Sequence, residues 1–298
     1  MRFVRSLTVV LFSLLSACTQ KEGAAAGGVP GDACRVVDRA IPLPKRVSET
    51  SGLAASRAYP GILWTHNDSG GDPELIAVDS AGSRRGVVRV TGAEAVDWED
   101  IAVGGCAGGD CLYVGDIGDN DGDRPQIDVY RFMEPSPEAA ATARAERIVL
   151  RYPDHPQDAE GLFVLPGGDL FVVTKGVHGP VTLYRAPAPV TAGAPITLQR
   201  VVALGAGAEE RLNMATGADA TPDGRWVAVR TYTGLHLFRA EALRGEGTPV
   251  SDRFDLASLE EPQGEAVAIR DDGTVFLSSE SPGKDQPATM SRLACSLR

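Results

Sequence analysis

The chain has 298 residues, with 29 Lys and Arg against 40 Asp and Glu, a formal net charge of −11 and 43% hydrophobic residues. This ordinary globular composition excludes a collagen, a coiled coil and a wholly disordered chain. The acidic balance argues against nucleic acid as a partner, because phosphate-backbone binding runs on an excess of Lys and Arg.

At the N-terminus, Arg2 and Arg5 precede an apolar run from Leu7 to Ala17. The run is too short to span a bilayer as a stable helix and reads as a signal peptide over 1–17. It ends in Leu15-Ser16-Ala17-Cys18. A branched apolar residue, two small residues and then Cys form a bacterial lipobox, whose Cys18 thiol takes the lipid. The expected partner is therefore the membrane, reached through acyl chains rather than a spanning helix. Thr19 follows where an Asp would mark inner-membrane retention, so the expected address is the cell envelope, at the outer membrane in a Gram-negative organism. Residues 18–33, rich in Ala and Gly, read as a flexible lipidated tether, and 34–298 as one folded domain.

The folded region repeats one grammar five times. A polar turn leads into an apolar strand, a Gly-bearing hairpin, a second apolar strand and a third. The first strands start near Glu49, Asp97, Asp158, Met214 and Gln263. Hairpins follow at Pro60-Gly61, Gly108-Gly109, Gly167-Gly168, Asp223-Gly224 and Asp272-Gly273, where turns of positive φ favour glycine. Fourth strands are expected at Gly86–Val90, Arg147–Arg151, Leu198–Ala203 and Val250–Leu256, and a short helical stretch within Ser136–Glu146.

The fifth repeat lacks a fourth strand, while a spare strand stands at the other end, Arg35–Leu43. The predicted fold is thus an all-β, five-bladed β-propeller of four-stranded antiparallel blades, its ring closed by the N-terminal strand. About 56 residues per repeat is slightly long for one blade, which leaves six blades open if one repeat is degraded. With Cys18 lipidated, four cysteines remain. Cys106 and Cys111 flank a hairpin turn and suit a cross-strand bridge, leaving Cys34 to pair with Cys295. No CxxC pair supports a zinc site.

In a propeller, the starts of the first strands and the ends of the second strands converge on one channel mouth. The first set contains Glu49, Asp97, Glu99, Asp158, Glu160, Thr216, Asp219 and Glu265, and the second His66, Asn67, Asp68, Asp116, Thr174, Lys175, Arg230, Tyr232, Ser279 and Glu280. Such acids either cap turns or, as a set, hold a hard cation, Ca²⁺ or Mg²⁺. The loop Gly115–Asp123 is the densest donor cluster. Its Asp116, Asp119, Asn120, Asp121 and Asp123 resemble the start of a calcium loop without the bidentate Glu of an EF-hand. Glu49 and Glu265 complete the expected Ca²⁺ ligands. Glu99, Glu160 and His66 are the candidate acid–base groups, and Lys175, Arg230 and Tyr232 the candidate contacts to an anionic or carbohydrate ligand. His66 also reads as a satisfied histidine at a strand end, and Lys175 and Arg230 as partners of channel acids. No GxSxG elbow, HExxH or P-loop is present.

Ser48-Glu-Thr-Ser-Gly-Leu53, Trp64-Thr-His-Asn-Asp-Ser-Gly-Gly71, Asp97-Trp-Glu-Asp-Ile101, Gly115-Asp-Ile-Gly-Asp-Asn120, Asp158-Ala-Glu-Gly-Leu162 and Glu261-Pro-Gln-Gly-Glu-Ala266 resemble a group of secreted bacterial β-propeller proteins. That group lies near esterase-like phytase domains and the six-bladed hydrolase-like propellers. The resemblance spans about residues 45–293 and implies an exported propeller. In its phytase-like members it implies calcium and phosphoester chemistry; the five repeats counted here depart from six blades. Two functions are expected: a binding module of the cell envelope with a Ca²⁺-binding mouth, or a metal-dependent hydrolase of phosphoesters, esters or lactones.

Overall fold

A computed structural model describes residues 33–177, 179–205, 213–244, 249–283 and 285–298. The signal peptide, Cys18, nearly all of the tether and His178 lie outside these residues. The fold is an all-β ring of five blades. Strands β2 (Thr50–Ala55), β3 (Ile62–Asn67), β4 (Glu74–Asp79) and β5 (Arg84–Arg89) form blade one. Blade two contains β6 (Trp98–Cys106), β7 (Gly109–Asp116), β8 (Ile127–Met133) and β9 (Glu146–Arg151). Blade three has β10 (Ala159–Val164), β11 (Leu170–Thr174), β12 (Val181–Ala186) and β14 (Gln199–Gly205), and blade four β15 (Ala215–Ala220), β16 (Trp226–Thr231), β17 (Gly234–Arg239) and β18 (Asp252–Asp255). Blade five joins β19 (Gly264–Ile269), β20 (Thr274–Ser279) and β21 (Thr289–Cys295) to β1 (Cys34–Pro42), the N-terminal strand.

Two details differ from the sequence expectation. Residues 136–145 form turns and a bridge from Ala141 to Arg89 rather than a helix; Pro137 and the Ser136 turn leave no run long enough to nucleate one. Blade two gains a fifth strand, β13 (Ile196–Thr197), lent by the connection before β14 and paired parallel to β9.

The ring is held at its interfaces. Among the described residues there are five hydrophobic clusters, and each lies between two adjacent blades. Leu53 and Leu63 meet Phe276 and Met290 across the closure, for example, and Phe163 and Phe171 meet Val227 and Val229 between blades three and four. Each inner strand is therefore apolar on both faces where it packs between neighbours. The closure is covalent as well: Cys34 sits opposite Cys295 in the β1–β21 register and is bonded to it, and Cys106 bonds Cys111 across its hairpin. All seven glycines of the five hairpins named from the sequence have φ between 69° and 148°, the left-handed region that disfavours a side chain.

Candidate functional site

The five inner strands β2, β6, β10, β15 and β19 share one irregularity. Their pairing with the second strands shifts register between Thr50 and Leu53, Trp98 and Asp100, Ala159 and Gly161, Ala215 and Gly217, and Gly264 and Val267. One extra residue is inserted at the same step in every blade: Ser51, Glu99, Glu160, Thr216 and Glu265. Such bulges re-aim a side chain at the cost of a local pairing. Here they form a ring of three glutamates and two hydroxyls, each at most 5% exposed.

A second tier comes from the residues two positions earlier: Glu49, Asp97, Asp158, Met214 and Gln263. A third comes from the residues just after the second strands: Asp68, Ile117, Lys175, Tyr232 and Glu280. Four blades lock the third tier over the second with one repeated bond, from the N–H groups of Asp68, Ile117, Lys175 and Glu280 to the carbonyls of Glu49, Asp97, Asp158 and Gln263. Repetition in the sequence thus becomes one polar mouth.

Carboxylates from two blades converge there. Ligand oxygens of Asp68, Asp97 and Glu99 all lie within 4.8 Å of one another, the one such group among the described residues. Gly118 is packed against Asp97 Oδ2 and Glu99 Oε1, so a Cβ at this position would occupy the space between them. Ser51 Oγ donates to Glu99 Oε2 at 3.0 Å. Burial, with Glu160, Asp68 and Asp97 close by, holds the Glu99 carboxyl well above the usual range. Burial and then the charges of Asp68 and Asp158 push Asp97 up to about 6. On the far side, burial and then Glu265, Asp68 and Glu49 raise Glu280 to about 7; burial also raises Glu265 and Asp68. Glu160 goes up to about 8 through burial, although Lys175 beside it pulls the other way. Burial works against the Lys175 charge, but its hydrogen bond and ion pair with Glu160, and Asp158 at 3.7 Å, hold its pKa above the usual value.

The acidic loop contributes differently from the expectation. Asp116 accepts from the N–H groups of Val96 and Asp97 and from Arg124 at 2.8 Å. Asp119 accepts from the N–H groups of Asp123 and Arg124, while its own N–H goes to Asp158. Asn120, Asp121 and Asp123 point to solvent as exposed residues. These side chains are turn caps and solvated groups, not a convergent cation shell; the loop serves the mouth through the bare Gly118.

Two other expected residues face elsewhere. His66 is fully buried, edge-on to Trp98, with Nδ1 at 2.9 Å from the Asn67 carbonyl; burial lowers its pKa to about 4 and keeps it neutral. Arg230 is equally buried, and its guanidinium is committed to the carbonyls of Ala266 and Ser278 and to Glu261. Glu49 stays exposed at the rim, and Tyr232 is half-buried beside Lys175. Asp219 lies toward the other end of the channel, accepting from the N–H groups of Ala220 and Ile269.

Asp100 was not singled out from the sequence. Its fully buried carboxylate accepts from Ile101 N, Leu162 N and Ala218 N at 2.8, 2.8 and 3.1 Å, tying β6, β10 and β15 together. In the repeat it stands where Gly52, Gly161 and Gly217 stand in other blades. Aligning the repeats exposes that acid-for-glycine exchange.

No protein-family model matches the chain, and no curated protein matches it by sequence. Solved structures of similar fold include the PQQ-bound aldose sugar dehydrogenase of Streptomyces coelicolor, at 14% identity and a TM-score of 0.53 over 90% of this chain and all of that one. A gluconolactonase from Xanthomonas campestris matches at 13% identity and a TM-score of 0.47, over 90% of this chain and 97% of that one. The calcium-binding protein regucalcin from Agrobacterium tumefaciens matches at 12% and 0.43, over 87% and 94%. At these identities the likeness is one of fold.

Proposed function

We propose that the acidic mouth holds a divalent cation, with Ca²⁺ favoured, between Asp68, Asp97 and Glu99, and that the bound cation presents a small oxygen-rich ligand, anionic or sugar-like, to the propeller. The observation that carries this reading is the convergence of three carboxylates from two blades around a space that Gly118 leaves free. Hard oxygen donors suit Ca²⁺ and Mg²⁺. Eight acids around the mouth face a single lysine, and a cation offsets the repulsion among them. Lys175 and Tyr232 border the space left for the ligand. The same proposal anchors the protein to the bacterial envelope through a lipid on Cys18; the two disulfides suit an oxidising compartment.

A second reading, a metal-dependent hydrolase of phosphoesters, esters or lactones, is favoured by one feature. Glu160 is buried in the bulge ring beside Lys175, and burial raises its pKa, which suits a carboxyl that exchanges a proton with a leaving oxygen. The cation would supply Lewis acidity toward the carbonyl or phosphoryl oxygen. Calcium titration followed by melting temperature tests the common premise. A saturable rise in the wild type, lost in Asp97→Asn and in Gly118→Ala, is expected; no rise at any calcium concentration would falsify it. A hydrolase screen with Ca²⁺ and with chelator then separates the readings. Turnover abolished by chelator and by Glu160→Gln, with the calcium response retained, selects the enzyme; calcium binding without turnover selects the binder.

A further inference from the structure

The mouth has one sector unlike the rest. The inner strands follow one another around the channel as β2, β6, β10, β15 and β19, and β19 returns to β2. Blade four therefore stands across the channel from the boundary between blades one and two, where Asp68, Asp97 and Glu99 converge. It adds no charge to any tier. Where blade three carries Asp158, Glu160 and Lys175, blade four carries Met214, Thr216 and Tyr232. Met214 and Tyr232 are half-buried. A group held by a cation at the first two blades thus faces a thioether and an aromatic side chain on the far side.

Between these walls, acceptors outnumber donors. The donors of the mouth are committed inside the protein. Thr216 Oγ1 donates to the Glu265 carbonyl at 2.8 Å, and Ser51 Oγ donates to Glu99. Four N–H groups of the third tier go to carbonyls of the second. Lys175 Nζ, the one basic group in the three tiers, donates to Glu160. The acceptors are left over. Asp158 Oδ2 is buried with no hydrogen-bond partner, and Lys175 Nζ stands 3.7 Å from it. Glu49 and Glu280 add further acceptor oxygens at the rim, and a carboxyl that holds a proton still accepts through its other lone pairs. A ligand that fits must donate. A phosphate dianion or a carboxylate can only accept, and it would lie among acids whose single lysine is already paired.

We infer, resting on the cation reading above, that the ligand is a neutral polyhydroxylated ring. Two vicinal hydroxyls reach the cation, others donate to the acids of blades three and five, and the C–H face lies against Tyr232 and Met214. A hydroxyl is donor and acceptor at once, and its oxygen is a hard donor of the kind Ca²⁺ takes. The uncharged sector of blade four matches the apolar face of such a ring, as an aromatic body with a polar tip does. Of the ligand classes left open above, this selects the sugar-like one and sets phosphoesters aside.

Calorimetry in the presence of CaCl₂ tests the inference with D-ribose, D-mannose and myo-inositol, each a neutral ring with vicinal cis hydroxyls. Methyl phosphate and acetate are the anionic controls. Saturable binding of at least one ring is expected, lost in chelator, with neither anion bound. Tyr232→Leu should weaken that ring about tenfold, the scale of one lost aromatic contact, while Tyr232→Phe keeps most of the affinity. The calcium-induced rise in melting temperature, measured in both variants, shows that they are folded. No ring bound up to about 50 mM, beyond the weak end of small-ligand affinity, overturns the inference. So does methyl phosphate or acetate binding as tightly as the best ring, or a Tyr232→Leu variant with a calcium response and undiminished ring affinity. A calcium response without ring binding overturns this inference and leaves the cation reading standing; a missing calcium response in the wild type overturns both.

Discussion

At the scale of single residues, the mouth is a place where charge is stored against solvation. Glu280 illustrates the consequence. Its pKa is raised to about 7 by burial and by Glu265, Asp68 and Glu49, so between the ordinary carboxylate range and pH 7 the folded state binds more protons than the unfolded chain. Stability then falls as pH rises through that window. Asp97, at about 6, and Glu160, at about 8, act in the same direction. In chelator the melting temperature is expected to be higher at pH 5 than at pH 8. Glu280→Gln should raise stability at pH 8 by about 1 kcal/mol, discounted for its partial exposure, and change it little at pH 5. A melting temperature that climbs from pH 5 to pH 8 in the wild type would contradict this assignment. The sequence showed that acids gather at one mouth. It did not show which of them turn inward to cap, because Asp116 and Asp119 have the same composition as a cation loop and differ only in where backbone N–H groups meet them.

At the scale of elements, the inner strand with its bulge is the unit that repeats. The strand starts were legible to within a residue from the polar-then-apolar switch at Glu49, Asp97, Asp158, Met214 and Gln263. The bulge was not, since an inserted residue leaves no change in composition. Its trace is the small residue that follows: Gly52, Gly161, Gly217 and Ala266. At Gly52 an added Cβ would meet His66 Nε2 and lie 2.8 Å from Ile101 N. Gly52→Ala should therefore separate β2 from β6 and cost roughly 1–3 kcal/mol, the usual range for overpacking. Urea unfolding measures it, and a cost near zero would show that the two strands are not in such close approach.

At the scale of the whole molecule, the ring was the most legible feature. Five repeats, a missing outer strand at one end and a spare strand at the other describe a closed circle, and five interblade cores fill it. The lent strand β13 was hidden because a two-residue pairing carries no periodicity. Closure also ranks the two disulfides. Cys34 and Cys295 are 261 residues apart, Cys106 and Cys111 only 5. In the chain-entropy model the first stabilises by roughly 5–6 kcal/mol and the second by about 2. Replacing Cys34 and Cys295 by Ser should lower the melting temperature more than replacing Cys106 and Cys111; the reverse order would mean that the ring does not depend on its covalent closure.

The ring matters to function because it makes Asp68 of one blade a neighbour of Asp97 and Glu99 of the next. An anomalous-difference map from a crystal soaked in Mn²⁺, a hard cation visible by its own scattering, tests that most directly. One peak bounded by Asp68, Asp97 and Glu99 is the result expected. A peak on the loop of Asp119, Asp121 and Asp123, or a mouth that stays empty in the soaked crystal, would contradict it.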